Sequence, residues 1–127
     1  MIHLDRATLR AMKETVAWVA GKRRRVKVVG ASMEPTLLEG DFVLVDESQI
    51  PQAGDPALAR HPDRDLLVVK RVESVTDHGS FVLASDNPTA GTDSRTWGPL
   101  PAKAVLGTVT LVLGDANRSL DPPTGEK

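Results

Sequence analysis

Two residues of this 127-residue chain have the chemistry to make and break an acyl bond. Ser32 stands in the turn-forming stretch Gly30-Ala31-Ser32-Met33-Glu34-Pro35-Thr36, and Lys70 stands inside the apolar run Leu66-Leu67-Val68-Val69-Lys70-Arg71-Val72. A serine hydroxyl is a poor nucleophile until a neighbouring base takes its proton, and a lysine amine is one recognised base in peptide hydrolysis. That amine must first be neutral. At the ordinary pKa only about one lysine in 2,500 is neutral at pH 7. Strand alternation places Lys70 on one face with Leu66, Val68 and Val72, so it is expected to point into the core. Desolvation there disfavours the ammonium, and a thousandfold change in its ionisation corresponds to about 4 kcal/mol, within reach of an apolar pocket. Taken singly, each residue also fits a plainer role: Lys70 a strand-edge cation reaching for water, Ser32 an ordinary turn residue.

The elements that must hold this pair are short. Asp5 is a candidate N-cap, and Leu9, Met12, Val16 and Val19 follow at helical spacing up to Gly21, which predicts one amphipathic helix over residues 6–20. Its apolar stripe is expected to pack on the domain's own sheet, with a membrane surface as the other option. Beyond it come β-rich runs at 25–29, 41–46, 56–60, 66–73, 80–84 and 103–113, divided by Gly, Pro and Asp turns. These predict a mainly β fold, a barrel or sandwich of short strands with one N-terminal helix. The expected organisation is a helix and basic linker over 1–24, a β domain over 25–114 and a loose tail over 115–127.

Composition narrows the function classes. The hydrophobic content of 40% supports one domain with a real core. With no tyrosine, no cysteine and 3% aromatic residues, the chain lacks stacking platforms for single-stranded nucleic acid, disulfides and thiolate chemistry. No specific nucleic-acid partner is expected. His3, His61 and His78 have no metal-ligand spacing and are expected at the surface; no metal or other cofactor is assigned. Residues 1–31 carry eight Lys/Arg against Asp5 and Glu14. Within that basic end, Lys22-Arg23-Arg24-Arg25 reads as a solvated strand entry or a contact for an anionic surface. No run approaches the roughly 20 apolar residues of a bilayer span, and no secretory pattern opens the chain. A cytoplasmic location is expected, with peripheral membrane contact through the helix and Lys22 to Arg25.

Four stretches, in order, resemble the boxes of the type I signal peptidase family of Ser-Lys proteases. Ser32-Met33-Glu34-Pro35-Thr36 resembles its nucleophile box, Gly40-Asp41-Phe42-Val43-Leu44-Val45 the following strand, and Lys70-Arg71-Val72 the box of the base. Asp86-Asn87 with Thr92-Asp93-Ser94-Arg95-Thr96-Trp97-Gly98 resembles its last box. The resemblance implies a signal peptidase/LexA-like β fold, Ser32 as nucleophile, Lys70 as general base, and Asp93 with Arg95 as an ion pair supporting the site, alongside the box residues Met33 and Pro35. Gly30 occupies the place where many members carry an oxyanion-binding serine, so the Ser32 amide would carry more of that task. Gly91 occupies the place of a serine that positions the lysine amine, with Thr92 and Ser94 as candidate substitutes.

Compact members of this layout are similar to the maturation proteases proposed for nickel-type superoxide dismutase, which implies removal of a leader from a precursor bound as an extended strand. Two other readings stay open. A LexA-like domain would cut its own chain, with Ala20-Gly21 as the candidate bond, and a non-catalytic β module would dock a peptide without turnover.

Overall fold

In the computed structural model residues 4–123 are described; His3 lies outside them. The chain forms helix α1 (Arg6–Val19), strands β1 (Arg24–Lys27), β2 (Phe42–Asp46), β3 (Pro56–Arg60), β4 (Leu67–Val75) and β5 (Phe81–Ala84), a one-turn helix α2 (Ser94–Trp97), a 3-10 turn (Ala102–Ala104) and β6 (Val105–Val112). The strands make one antiparallel sheet in the order β1-β2-β6-β3-β4-β5. The fold is therefore mainly β with one long helix at its N-terminal end, as the spacing predicts. The last strand starts at Val105 rather than Lys103, because Ala102–Ala104 close a tight turn first.

The sheet is strongly coiled. Three strands separate β1 from β4, about 19 Å if the sheet were flat, yet both line one groove of about 300 Å³. Register shifts at Leu44/Val45, Leu58/Ala59 and Val72/Ser74 supply local bends. Central β3 is buried on both faces: Leu58 joins a cluster with Val28, Met33, Leu37, Val43, Val45, Val109 and Val112, whereas Ala57 and Ala59 join Val72, Phe81, Leu83 and Leu100. Alternation along β4 sends Leu67 and Val69 to the first cluster and Val68 and Val72 to the second.

Helix α1 corrects one expectation. Leu9, Met12, Val16 and Val19 do not pack on the sheet; all four are exposed, and the buried residue is Glu14. Asp5 caps the helix by accepting from the Thr8 amide at 2.8 Å. Small residues Ala7, Ala11 and Ala17 flank Glu14 on the half-buried side. Its carboxylate accepts from Arg23 Nε at 2.6 Å, from Arg23 Nη2 at 3.1 Å and from Thr110 Oγ1 on β6. The helix is thus held by a buried polar contact rather than by its stripe. Burial pushes the Glu14 carboxyl up, but the bonds from Arg23 and Thr110 and the Arg23 charge outweigh it, leaving it below its ordinary 4.5. A carboxyl with a lowered folded pKa adds stability that is present above the unfolded value and lost as pH falls through the folded one. Urea titrations at pH 7 are expected to place Glu14→Gln about 1–2 kcal/mol below the parent, and the gap should close as pH falls below the ordinary 4.5 and through the lowered folded value. A gap independent of pH would assign the loss to packing alone.

The basic cluster is largely used inside the molecule. Arg23 pairs with Glu14 and reaches Asp46 at 3.5 Å, Arg24 pairs with Glu47 at 3.0 Å, and the Arg25 guanidinium lies 4.5 Å from the Phe42 ring centre. The segment after Gly114, expected to be loose, is tied down as far as Asp121. Arg118 donates to Asp41 at 2.8 Å, to Asp115 at 3.1 Å and to the Thr36 carbonyl, while Leu120 packs against the first core cluster. Residues 124–127 lie outside the described ones. No helix among the described residues is long and apolar enough to cross a membrane.

Candidate active site

Ser32 and Lys70 face one another across two adjoining grooves. One, of about 300 Å³, runs between Val26–Val29 and Leu66–Lys70. The other, of about 270 Å³, adds Gly30, Ala31, His61, Arg64, Ala90, Gly91, Thr92 and Trp97, and both include Ser32 and Lys70.

The nucleophile turn is anchored from below and from the side. Met33 is buried in the first core cluster, and its carbonyl accepts from the Leu37 amide at 2.9 Å. Pro35 is exposed, following a cis Glu34–Pro35 bond. Asn87 clasps the other side: its amide donates to the Ser32 carbonyl at 2.8 Å and its Nδ2 to the Ala31 carbonyl at 3.1 Å. Gly30 has φ +84, a conformation that a side chain at this position would disfavour. The oxyanion position named from the sequence is thus a bare backbone turn. Among the described residues no acceptor takes the Ser32 amide, which leaves that donor open to an oxyanion.

Lys70 is 4% exposed. Its Nζ donates to Ser85 Oγ at 3.1 Å, and its burial is the largest influence on its ionisation, pushing the amine below its ordinary value. The Asp93 carboxylate opposes that shift and Arg95 adds to it. Withdrawal from water thus moves the amine toward its neutral form. A Cβ on Gly91 would stand 3.3 Å from Ser32 Cβ and 3.5 Å from Lys70 Nζ. Ser32 Cβ and Lys70 Nζ are therefore no farther apart than those two distances laid end to end. No hydrogen bond joins them directly among the described residues, and the amine is turned to Ser85; catalytic contacts of this kind commonly tighten only with substrate in place.

The candidates named for positioning the amine sit elsewhere. Thr92 Oγ1 accepts from Trp97 Nε1 at 3.1 Å, and Ser94 Oγ accepts from the Leu83 amide at 2.8 Å. Ser85, which the sequence reading missed, holds the amine instead. It follows β5 directly, and the pairing Arg71↔Ala84 brings it opposite Lys70. Gly91 is consistent with the exchange, since its φ of +72 would strain any side chain there and a Cβ would press tightly on Ser32 Cβ. The signal in the sequence was a hydroxyl immediately before Asp86-Asn87.

Asp93 and Arg95 do form an ion pair, Nε to Oδ1 at 3.0 Å and Nη2 to Oδ2 at 3.2 Å. Burial raises the Asp93 carboxyl, but bonds from the Arg95 side chain and from the Ser85 and Arg95 amides, with the Arg95 charge, hold it below the usual carboxylate range. Asp93 Oδ2 accepts from the Ser85 amide at 2.8 Å, so the pair fixes the residue that fixes the amine. Asp93 also caps α2, a turn too short for periodicity to reveal.

His61 departs from its expected surface place. It is half-buried, lines the second groove and meets the Trp97 ring edge-on at 4.9 Å. Its Nδ1 accepts from the Asp63 and Arg64 amides, which places the proton of the neutral ring on Nε2. His78 is exposed.

No curated protein matches the chain. A family model described as Peptidase S24-like matches residues 5–97, well over half of the chain, from the cap of α1 through Ser32, Lys70 and Ser85 to the end of α2, and the chain belongs to that family.

Proposed function

We propose that the protein is a serine endopeptidase that acts with a Ser32-Lys70 pair on a separate precursor chain. The observation that carries this reading is the buried Lys70 amine, depressed in pKa and set beside Ser32 at the meeting of two grooves. Neutral Lys70 takes the proton of Ser32 Oγ as that oxygen bonds to the scissile carbonyl carbon. The oxyanion forms toward the Ser32 amide. The Lys70 ammonium then returns its proton to the departing amine nitrogen, the C–N bond breaks, and an ester remains on Ser32. Water, deprotonated by the same amine, releases the acyl part and restores the hydroxyl.

Substrate would enter as a strand. Residues 66–70 lie ahead of the stretch of β4 that pairs with β5, and β1 ends the sheet. The first groove runs between these segments, so a peptide laid there can bond to open backbone while its side chains reach Val26, Val28, Leu67 and Val69. The finer reading, that the precursor is that of nickel-type superoxide dismutase, is supported only by the resemblance of the chain's compact layout to those maturation proteases. A leader-bearing precursor of that enzyme is its direct test.

Cleavage in trans is favoured over cleavage of the protein's own Ala20-Gly21 bond. That bond lies before β1 and Ser32 lies after it, so β1 would have to leave the sheet for the two to meet. Incubated alone at raised pH, the purified protein is expected to keep its full mass while a fluorophosphonate labels Ser32. Two fragments joined near residue 20 would overturn action in trans, and absence of the adduct at every pH where the protein is folded would favour a peptide-docking module.

A further inference from the structure

Helix α1 carries a surface that the proposed peptidase chemistry does not use. Met12, Val16 and Val19 are 51%, 67% and 82% exposed, and Leu9 shares their side of the helix. At 100° per residue these four fall within one quadrant, on the side opposite Glu14, Ala7 and Ala11, which face the sheet. The apolar stripe thus points away from the body of the molecule. Arg6 and Lys13 lie along one flank of it, Arg10 stands farther round toward Glu14, Lys22 follows its end, and all four are exposed. Between Arg6 and Lys22 the only carboxylate is Glu14, which is buried against Arg23 and Thr110.

We propose that α1 is an in-plane membrane helix that seats Met12, Val16 and Val19 in the interface of a bilayer rich in anionic phospholipid. An outward apolar stripe flanked by exposed cations is the arrangement that binds such a surface, the apolar groups entering below the headgroups and the cations meeting phosphates. The charge selects this occupant over a second copy of the chain. Two such helices face to face would bring Arg6, Lys13 and Lys22 against their own kind, with Asp5 at the capped end as the one exposed carboxylate to answer them. Arg23, Arg24 and Arg25 contribute little, since Glu14, Glu47 and Phe42 already engage them.

The test uses the full chain carrying Ser32→Ala, so that its outcome does not depend on turnover. Co-sedimentation with vesicles of phosphatidylcholine containing about one-third phosphatidylglycerol is expected to pellet the protein, and pure phosphatidylcholine vesicles are not. Binding should weaken on raising salt, and Val16→Glu/Val19→Glu should reduce it about tenfold or more with an unchanged melting temperature, because both side chains are already in water. The inference is overturned if anionic vesicles leave the protein in the supernatant, if the double variant binds as well as the parent, or if light scattering shows a dimer that the double variant abolishes.

Discussion

Ser32→Ala and Lys70→Met are each expected to reduce precursor cleavage by about 10⁴-fold or more, because in the proposed mechanism the two act as one unit and removing either member removes nearly all of its contribution. The two variants differ in what they do to the fold. Ser32 is partly exposed on a turn held by Met33 and Asn87, so its loss leaves stability near that of the parent. Lys70 is a buried amine, and replacing it by an apolar chain of similar length removes a desolvation penalty. The sign follows from its lowered pKa. Below the ordinary 10.5 the unfolded chain binds the proton more readily than the folded one, so parent stability rises with pH through the interval from the folded value up to 10.5. Lys70→Met should lack that rise, melting no lower than the parent at neutral pH while its advantage shrinks toward about pH 10.5. Activity of the parent should climb as pH rises through the lowered folded value and level off above it. A variant that keeps turnover, or a Lys70→Met protein whose stability rises with pH as steeply as the parent's, would remove the base from the mechanism. Ser85→Ala belongs to the same series with a smaller effect. It is expected to lower kcat about 10- to 100-fold with little change in KM, since Ser85 meets the amine and not the peptide, and Ser85→Thr should recover part of the loss.

How much of this was legible depends on the range of the interaction. The strand pattern was readable because alternation and turn residues are local: the runs at 56–60 and 41–46 fall within a residue of β3 and β2. The inward lysine was readable for the same reason, from Leu66, Val68 and Val72 on its face. Ser85 was not, because its meeting with Lys70 depends on the β4-β5 register, and the irregularity between Val72 and Ser74 that bends this pairing leaves no local trace. Helix α1 shows a different limit. Periodicity put Leu9, Met12, Val16 and Val19 on one face but could not say which way the face points, and Glu14, which looks like a solvated charge, is the residue that docks. The tail shows a third. Its Asp, Ser and Pro content resembles disorder, yet single long-range contacts from Arg118 and Leu120 hold it.

The carbonyls of Leu120 and Asp121 in that tail meet the residue beside the base, where Arg71→Met is expected to have the largest effect on stability. Arg71 is buried, and it pairs with a buried Asp86, Nε to Oδ1 at 3.1 Å and Nη2 to Oδ2 at 2.6 Å. Its remaining donors reach Thr36 Oγ1 and the carbonyls of Gly54, Leu120 and Asp121, while Thr36 Oγ1 donates to Asp86 at 2.6 Å. One guanidinium thereby ties the nucleophile stretch, the strand of the base, the last box and the tail. Removing it leaves the Asp86 carboxylate, whose side chain is 4% exposed, without its partner, a loss of about 3–5 kcal/mol against a total of about 5–15 kcal/mol for a domain of this kind. Restoring charge balance separates this cause from lost packing: Arg71→Met with Asp86→Leu should be more stable than Arg71→Met alone, since no charge is then buried without its partner. Urea midpoints for the parent, both single variants and the double variant give the coupling directly. A loss below about 1 kcal/mol for Arg71→Met, the scale of an exposed pair, would mean that the buried network does not hold these four segments together. If it does hold them, the double variant should still cleave more slowly than its stability suggests, because the rung next to Arg71 is the one on which Lys70 meets Ser85.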